Sequence, residues 1–351
     1  MSDEEKIKIK GLDSTRGIAA CGIVYFHIWV LYQFGGCYWV VDKIAINLDS
    51  FVRFFFMLSS FVMMCGYEKV LLKSENHLRN FYVKRYFKIA PLFYLACAIQ
   101  FCMDYFQGIK AFNPFNFITT GSLLFGLLPT NQEPILGGSW AIGIEWLFYL
   151  IFPFLLIYSR NRYLLIGGFT LSLFLTNFYN CVVPVDFVNR HINLIIYIPY
   201  FLCGMIIYYA IPKIKSIKKY RFFEIPYFFL LISIAVLLMK IEFLSRDVVL
   251  LFTFSALIIG AVYGYSCLID NPLTRFLGSI SYGIYLFHMI VLQILDKVGM
   301  ITIIKTYISN RTLAYFFLGV VTLAITSFVA YCATKFVEAP FVKYSKKFLK
   351  M

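Results

Sequence analysis

WAIGIEWLFYLIFPFLLIY, residues 140–158, carries one charge, Glu145, in nineteen positions. Wound as an α-helix at 1.5 Å per residue it is about 28 Å long, close to the thickness of the hydrocarbon layer of a bilayer. A helix that is apolar on every side has no face for water, so its surroundings are lipid or other apolar helices. INLIIYIPYFLCGMIIYYAI, at 192–211, repeats the pattern with no charge at all. Working outward, stretches of similar length and character fall at about 12–34, 50–67, 89–107, 163–181, 222–240, 248–268, 276–295 and 312–334, making ten expected spans in all. The composition agrees. Of 351 residues 61% are hydrophobic and 14% charged, where a soluble domain has roughly a quarter charged. The fold class this predicts is an all-α, polytopic integral membrane protein in contact with membrane lipid, a single transmembrane domain over 1–351.

Charge placement orients the spans. Lys and Arg number 32 against 18 Asp and Glu, and the majority lie in the amino-terminal stretch and in 69–88, 160–162, 213–221, 275 and 335–350. With ten spans, all of those segments face the cytoplasm, as the positive-inside rule asks. Both termini are then cytoplasmic, with tails at 1–11 and 335–351. The stretch 115–129 is interrupted by Gly121, Gly126 and Pro129. Were it to cross, the cluster Lys213, Lys215, Lys218, Lys219 and Arg221 would lie outside, so 115–129 is expected to be re-entrant or interfacial. The basic balance therefore reads as topology, and no nucleic-acid partner is expected. No cleavage site of the small-x-small kind follows the first apolar run, which is expected to remain as a signal anchor. The cysteines show neither a C-x-x-C nor a Cys/His cluster at zinc spacing, and no metal is expected. Cys37 and Cys181 fall in expected outer loops, but a disulfide needs a geometry that sequence does not supply. Nothing in the sequence bears on oligomeric state.

Ionisable groups within spans cost several kcal/mol unless paired or solvated, and each is a functional candidate. Arg16 and His27 lie eleven residues apart on the first span, about 16 Å of rise and about 20° of rotation, hence on one face. Arg16 is placed near the cytoplasmic surface, either as a snorkelling anchor or as a binding cation. His27 lies in the outer half. Counted from the expected outer ends of their spans, Arg53, Glu145 and His288 share that depth. A carboxylate beside an imidazole orients it and favours its protonated form, the pairing a general base uses. The alternative is an ion-pair cluster that holds the bundle together. Lys84, Arg85 and Lys88, in FYVKRYFKIAPLFYL, read either as an ordinary basic loop or as a phosphate clamp at the inner mouth, together with Arg16. The pair Ser59 and Ser60 either closes a polar helix–helix contact or narrows a passage. There is no G-x-S-x-G, P-loop or GxGxxG, which leaves soluble-type hydrolase, nucleotide hydrolase and Rossmann chemistry without support.

Six motifs, in order along most of the chain, resemble those of the membrane acyltransferase family 3, the O-acyltransferases of bacterial surface glycans. GLDSTRGIAACGIVYFH resembles its Arg, ten residues, His pattern at Arg16 and His27. RFFFMLSSFVM resembles its F-F-x-L-S-G-F, with Ser60 in place of Gly. KRYFKIAPLFYL resembles its basic-then-Pro motif at Arg85 and Pro91, with Lys88 in place of a second Arg. GGSWAIGIEWLFYLIFP resembles W-S-x-x-x-E-x-x-F-Y at Trp140, Glu145 and Tyr149, with Ala141 and Gly143 where Ser is common. LGSISYGIYLFH resembles S-Y-x-x-Y-x-x-H at Ser281, Tyr282, Tyr285 and His288, and FVEAPF the terminal E-x-P at Glu338 and Pro340.

The resemblance implies an acetyl-CoA donor on the cytoplasmic side and, as acceptor, a hydroxyl of a surface polysaccharide or lipid-linked saccharide on the far side of a bacterial inner membrane. His27 would be general base or transient acyl carrier, with Glu145 orienting it. Arg16, Arg85 and Lys88 would hold CoA phosphates. Arg53, Ser59, Trp140, Tyr149, Tyr285 and His288 would line the site. A stand-alone transferase is expected, without the soluble hydrolase-like extension of many relatives. The rival reading is a glycan transporter or flippase, in which the same charges line a path and no bond is made. A polysaccharide polymerase would call for a large outer loop, which the sequence lacks.

Overall fold

Polar residues that interrupt the apolar runs set where the helices start. In the computed structural model, which describes residues 10–108, 113–127, 134–183, 192–215, 246–263 and 269–349, four of these residues act as N-caps. Ser74 accepts from the backbone N–H of His77, Asn113 from Phe115 and Asn116, and Asn161 from Tyr163 and Leu164. Asn271 forms a reciprocal capping box with Thr274, followed by Pro272 in the first turn. Each satisfies backbone donors that would otherwise be left bare at a helix end.

The elements in chain order are α1 (Lys10–Leu31), α2 (Trp39–Asn47), α3 (Phe51–Tyr67), α4 (Glu75–Phe106), α5 (Pro114–Ser122), α6 (Trp140–Ser159), α7 (Arg162–Val182), α8 (Leu194–Lys215), α9 (Arg246–Tyr263), α10 (Pro272–Ser279), α11 (Ser281–Lys297), α12 (Met300–Tyr307), α13 (Arg311–Ala333) and α14 (Ala339–Phe348). A π-helical turn, Thr334–Glu338, joins α13 to α14. Every regular element among the described residues is helical. Seven helices there are long and apolar enough to cross a membrane, or eight if α10 and α11, bent by 75°, form one broken span. The expected span at 222–240 lies outside the described residues. Helix α9, expected as a span at 248–268, has 18 residues and is not among the seven. Helix α5 occupies the doubtful 115–129 stretch with nine residues, too few for the ~20 that a crossing needs.

The chain divides into two compact units, 1–58 with 207–330 and 59–206 with 331–351. Their boundaries fall inside α3, α8 and α13, so neither unit is one continuous piece of chain. In the first unit, Ala20, Val24 and Ile28 of α1 pack with Ile284, Val291 and Leu292 of α11 and Ala314, Tyr315 and Leu318 of α13. Lipid tails are as apolar as leucine, so close backbone approach holds such helices together more than exclusion of water does. A Cβ on Gly278 of α10 would sit 1.8 Å from the Asp13 carbonyl oxygen, and one on Gly17 of α1 would sit 2.4 Å from that of Thr274. The two backbones touch, and only glycine fits the crossing. The second unit is packed by rings: Phe148 of α6 stacks on Phe201 of α8 at 3.9 Å, and Phe81 of α4 lies 5.7 Å from Phe152 of α6. Helix α7 turns Ile166, Leu171, Phe174 and Phe178 outward, a surface suited to lipid.

Candidate functional site

Within the first unit, the glycine crossing of α1 and α10 sets the register of the chain on either side of it. Ten residues beyond Gly17 is His27, and ten beyond Gly278 is His288. Further on, the Tyr32 hydroxyl donates to the Leu292 carbonyl at 3.2 Å, so α1 and α11 run side by side in the same direction. The two histidines meet: His288 Nε2 lies 3.1 Å from His27 Nδ1, with ring centroids 4.8 Å apart.

The surrounding carbonyls decide which nitrogens carry hydrogen. His27 Nδ1 is 2.9 Å from the Ile23 carbonyl oxygen, and His288 Nδ1 is 2.7 Å from that of Tyr285. A carbonyl only accepts, so in the neutral rings both Nδ1 atoms are N–H. His288 Nε2 is then a bare acceptor. The His27 Nδ1–H is shared between it and Ile23, and His27 Nε2 keeps its lone pair. No described residue hydrogen-bonds to that atom. His27 is half-buried and His288 fully buried. Tyr285 contributes both its carbonyl and a ring whose centroid is 5.9 Å from that of His288.

The other first-unit candidates are ion-paired. Arg16, on the first turns of α1, lies 3.5 Å from Asp13 with 30% of its side chain exposed, a contact of little energetic weight. Arg53 lies 3.3 Å from Asp49 and 3.6 Å from Asp247, and Arg246 also pairs with Asp49. This network ties the start of α3 to the start of α9. Cys37 carries a free thiol.

The second unit assembles its own polar group. Ser59 of α3 donates to Glu145 Oε1 of α6 at 2.7 Å, and the Tyr149 hydroxyl donates to the same oxygen. Ser59 and Tyr149 oxygens are 2.9 Å apart. Each hydroxyl has one hydrogen, and Oε1 takes both. Oε2 takes no hydrogen bond from any described residue. The neighbouring Ser60 donates instead to the Phe201 carbonyl at 2.5 Å, closing a contact between α3 and α8. Trp140 stacks on Tyr197 at 5.5 Å at the head of α6.

On α4 the basic residues part company. Arg85 places its guanidinium carbon 5.2 Å from the Tyr67 ring centre and 5.3 Å from that of Tyr149. Its Nε is buried without a hydrogen-bond partner, and no carboxylate pairs with it among the described residues. Lys88 is bound to Glu338, delivered by the π-helical turn. The Lys88 side chain is 46% exposed and that of Glu338 7%. Sequence reasoning missed Tyr67, which lies one helical turn past RFFFMLSSFVM and is marked by no motif, and missed that Glu338 answers Lys88. Cys181 is a free thiol.

These placements coincide with a match to an acyltransferase-domain family over residues 9–331. The chain belongs to acyltransferase family 3. A member-like relative, named "Putative acetyltransferase ORF330", occurs in Acidianus two-tailed virus and is 23% identical over 305 residues, 82% of this chain and 84% of the relative. No solved structure matches the chain. As a member of the family, this protein is a multi-helix membrane acyltransferase.

Proposed function

We propose that this acyltransferase moves an acetyl group from cytoplasmic acetyl-CoA to a hydroxyl of a surface polysaccharide or lipid-linked saccharide on the outer side of the cell membrane, with ten spans and both termini cytoplasmic. The observation that carries the reading is the bare Nε2 of His27, a lone pair deep in an apolar helix, fixed by carbonyls that admit no other neutral tautomer. The name of the viral relative supports acetyl as the group transferred.

The acceptor hydroxyl gives its proton to His27 Nε2 as its oxygen adds to the thioester carbonyl. Collapse of the tetrahedral adduct breaks the C–S bond, and the departing CoA sulfur takes that proton back. Arg85 is a cation held by two rings and, among the described residues, by no carboxylate, which suits it to the phosphates of CoA; Arg16 is proposed separately as a phosphate-binding cation. Glu145 is the second catalytic residue of this reading, its Oε1 held by Ser59 and Tyr149, and Trp140 and Tyr149 shape its surroundings.

The test uses purified protein in vesicles, with acetyl-CoA on one face and glycan on the other. Acetylated glycan should form only when acetyl-CoA is on the cytoplasmic face. Absence of CoA binding, or glycan movement without acetylation, would establish a transporter instead.

A further inference from the structure

We infer that His288 is a positioning residue for the base: its unprotonated Nε2 accepts the His27 Nδ1–H, locks the ring so that His27 Nε2 faces the reaction, and stabilises the imidazolium that forms there. This rests on the reading of His27 as general base.

Donors and acceptors around the pair decide the arrangement. The Ile23 carbonyl, four residues back on the same helix, can hold the His27 Nδ1–H, but an imidazole on a helix keeps freedom about its side-chain torsions with that contact alone. A second acceptor from another helix, at 3.1 Å, fixes the ring plane. His288 can play this part because its own Nδ1–H is spent on Tyr285 at 2.7 Å, which leaves Nε2 with nothing to offer except a lone pair. Full burial keeps water from competing for that lone pair. When His27 takes up a proton at Nε2, its Nδ1–H becomes a charge-assisted donor, and the bond to His288 strengthens in the state that the reaction passes through. A carboxylate commonly holds a catalytic imidazole by its rear nitrogen; here a second imidazole occupies that place, and the glycine crossing ten residues earlier puts it there.

Two variants separate this from mere packing. His288→Gln keeps a side-chain oxygen able to accept the His27 Nδ1–H, whereas His288→Leu keeps volume and removes the acceptor. With acetyl-CoA and glycan as substrates, His288→Leu should lower kcat by about 10- to 100-fold, the size of one hydrogen bond to a charged group, with the KM for acetyl-CoA unchanged. His288→Gln should recover most of that loss. Independently of folding in the variants, ¹⁵N spectra of the histidine-labelled wild-type protein, assigned by single replacement of its four histidines, should show neutral His27 with Nδ1 protonated and Nε2 bare. Equal activity of the Leu and Gln variants, or a neutral His27 protonated at Nε2, overturns the inference. Should His27→Ala itself remain active, the functional reading fails. If His27→Ala is dead while His288→Leu equals wild type, only the role of His288 falls.

Discussion

Replacing Arg85 by alanine removes a cation that no carboxylate among the described residues pairs with, and this makes it a clean probe of donor binding. Its contacts in the folded protein are the faces of Tyr67 and Tyr149, each worth ~0.5–1 kcal/mol. The variant should therefore fold, with a loss below about 2 kcal/mol. Glu145, the carboxylate that Tyr149 contacts, keeps both of its hydroxyl donors. A charge-assisted contact to phosphate contributes ~1.5–3 kcal/mol, so the KM for acetyl-CoA should rise roughly 10- to 150-fold. Turnover at saturating donor should change only a few-fold, because the lost interaction is the same in ground and transition states. Arg85→Lys should fall between, retaining charge but losing the planar fork and ring stacking. The assay is initial rate against acetyl-CoA concentration in vesicles, with direct CoA binding measured by calorimetry. A folded Arg85→Ala protein whose KM and CoA affinity stay within twofold of wild type would refute the assignment.

Alanine at His27 should cut kcat by ~10²–10⁴ while CoA binding by calorimetry stays near wild type; activity above about a tenth of wild type would exclude it as the base. Glu145→Gln should also slow turnover, and the double variant should be no slower than His27→Ala alone if the two act as one unit, which a kinetic double-mutant cycle reads directly. Lys88→Ala leaves Glu338 buried without its cation, so it should cost about 1–3 kcal/mol of stability, seen as a lower thermal midpoint in detergent, and the double variant Lys88→Ala/Glu338→Gln should regain part of it. Gly278→Ala should destabilise by more than the ~1–3 kcal/mol typical of overpacking, because its Cβ would meet backbone rather than a movable side chain; a protein with an unshifted midpoint would mean that α1 and α10 do not cross as described.

Apolar run length made most of the fold legible. The expected 140–158 and 163–181 became Trp140–Ser159 and Arg162–Val182 almost residue for residue. Hydropathy sees only the part of a helix that faces apolar surroundings, which is why 89–107 understated α4, a helix that begins at its Ser74 cap. It is also blind to direction, so the 75° bend at Ile280 inside the expected 276–295 span had no signal. The shared depth of His27 and His288 came from counting along two helices, but that they touch depends on a glycine crossing which sequence does not announce. Arg53, expected to line the site, has Asp49 one helical turn before it and is held there. The partner of Lys88 lies 250 residues away, beyond any local pattern.

The π-helical turn at Thr334–Glu338 has the character of an inserted letter in a reading frame. A wide turn of this kind accommodates an extra residue without breaking the helix. Each residue of an α-helix advances the face by about 100°, so the turn rotates everything after it relative to an uninterrupted α13. That rotation brings Glu338 round to Lys88 and lays Phe341 and Tyr344 beside Phe87 of α4. Excising one residue from Thr334–Glu338 would barely shorten the helix, yet it would turn the whole of α14 by about 100° and carry Glu338 away from Lys88. An alignment of relatives that tolerates gaps in loops should therefore show none here, and a single-residue deletion in this turn should be more damaging than a substitution at any one of its five positions.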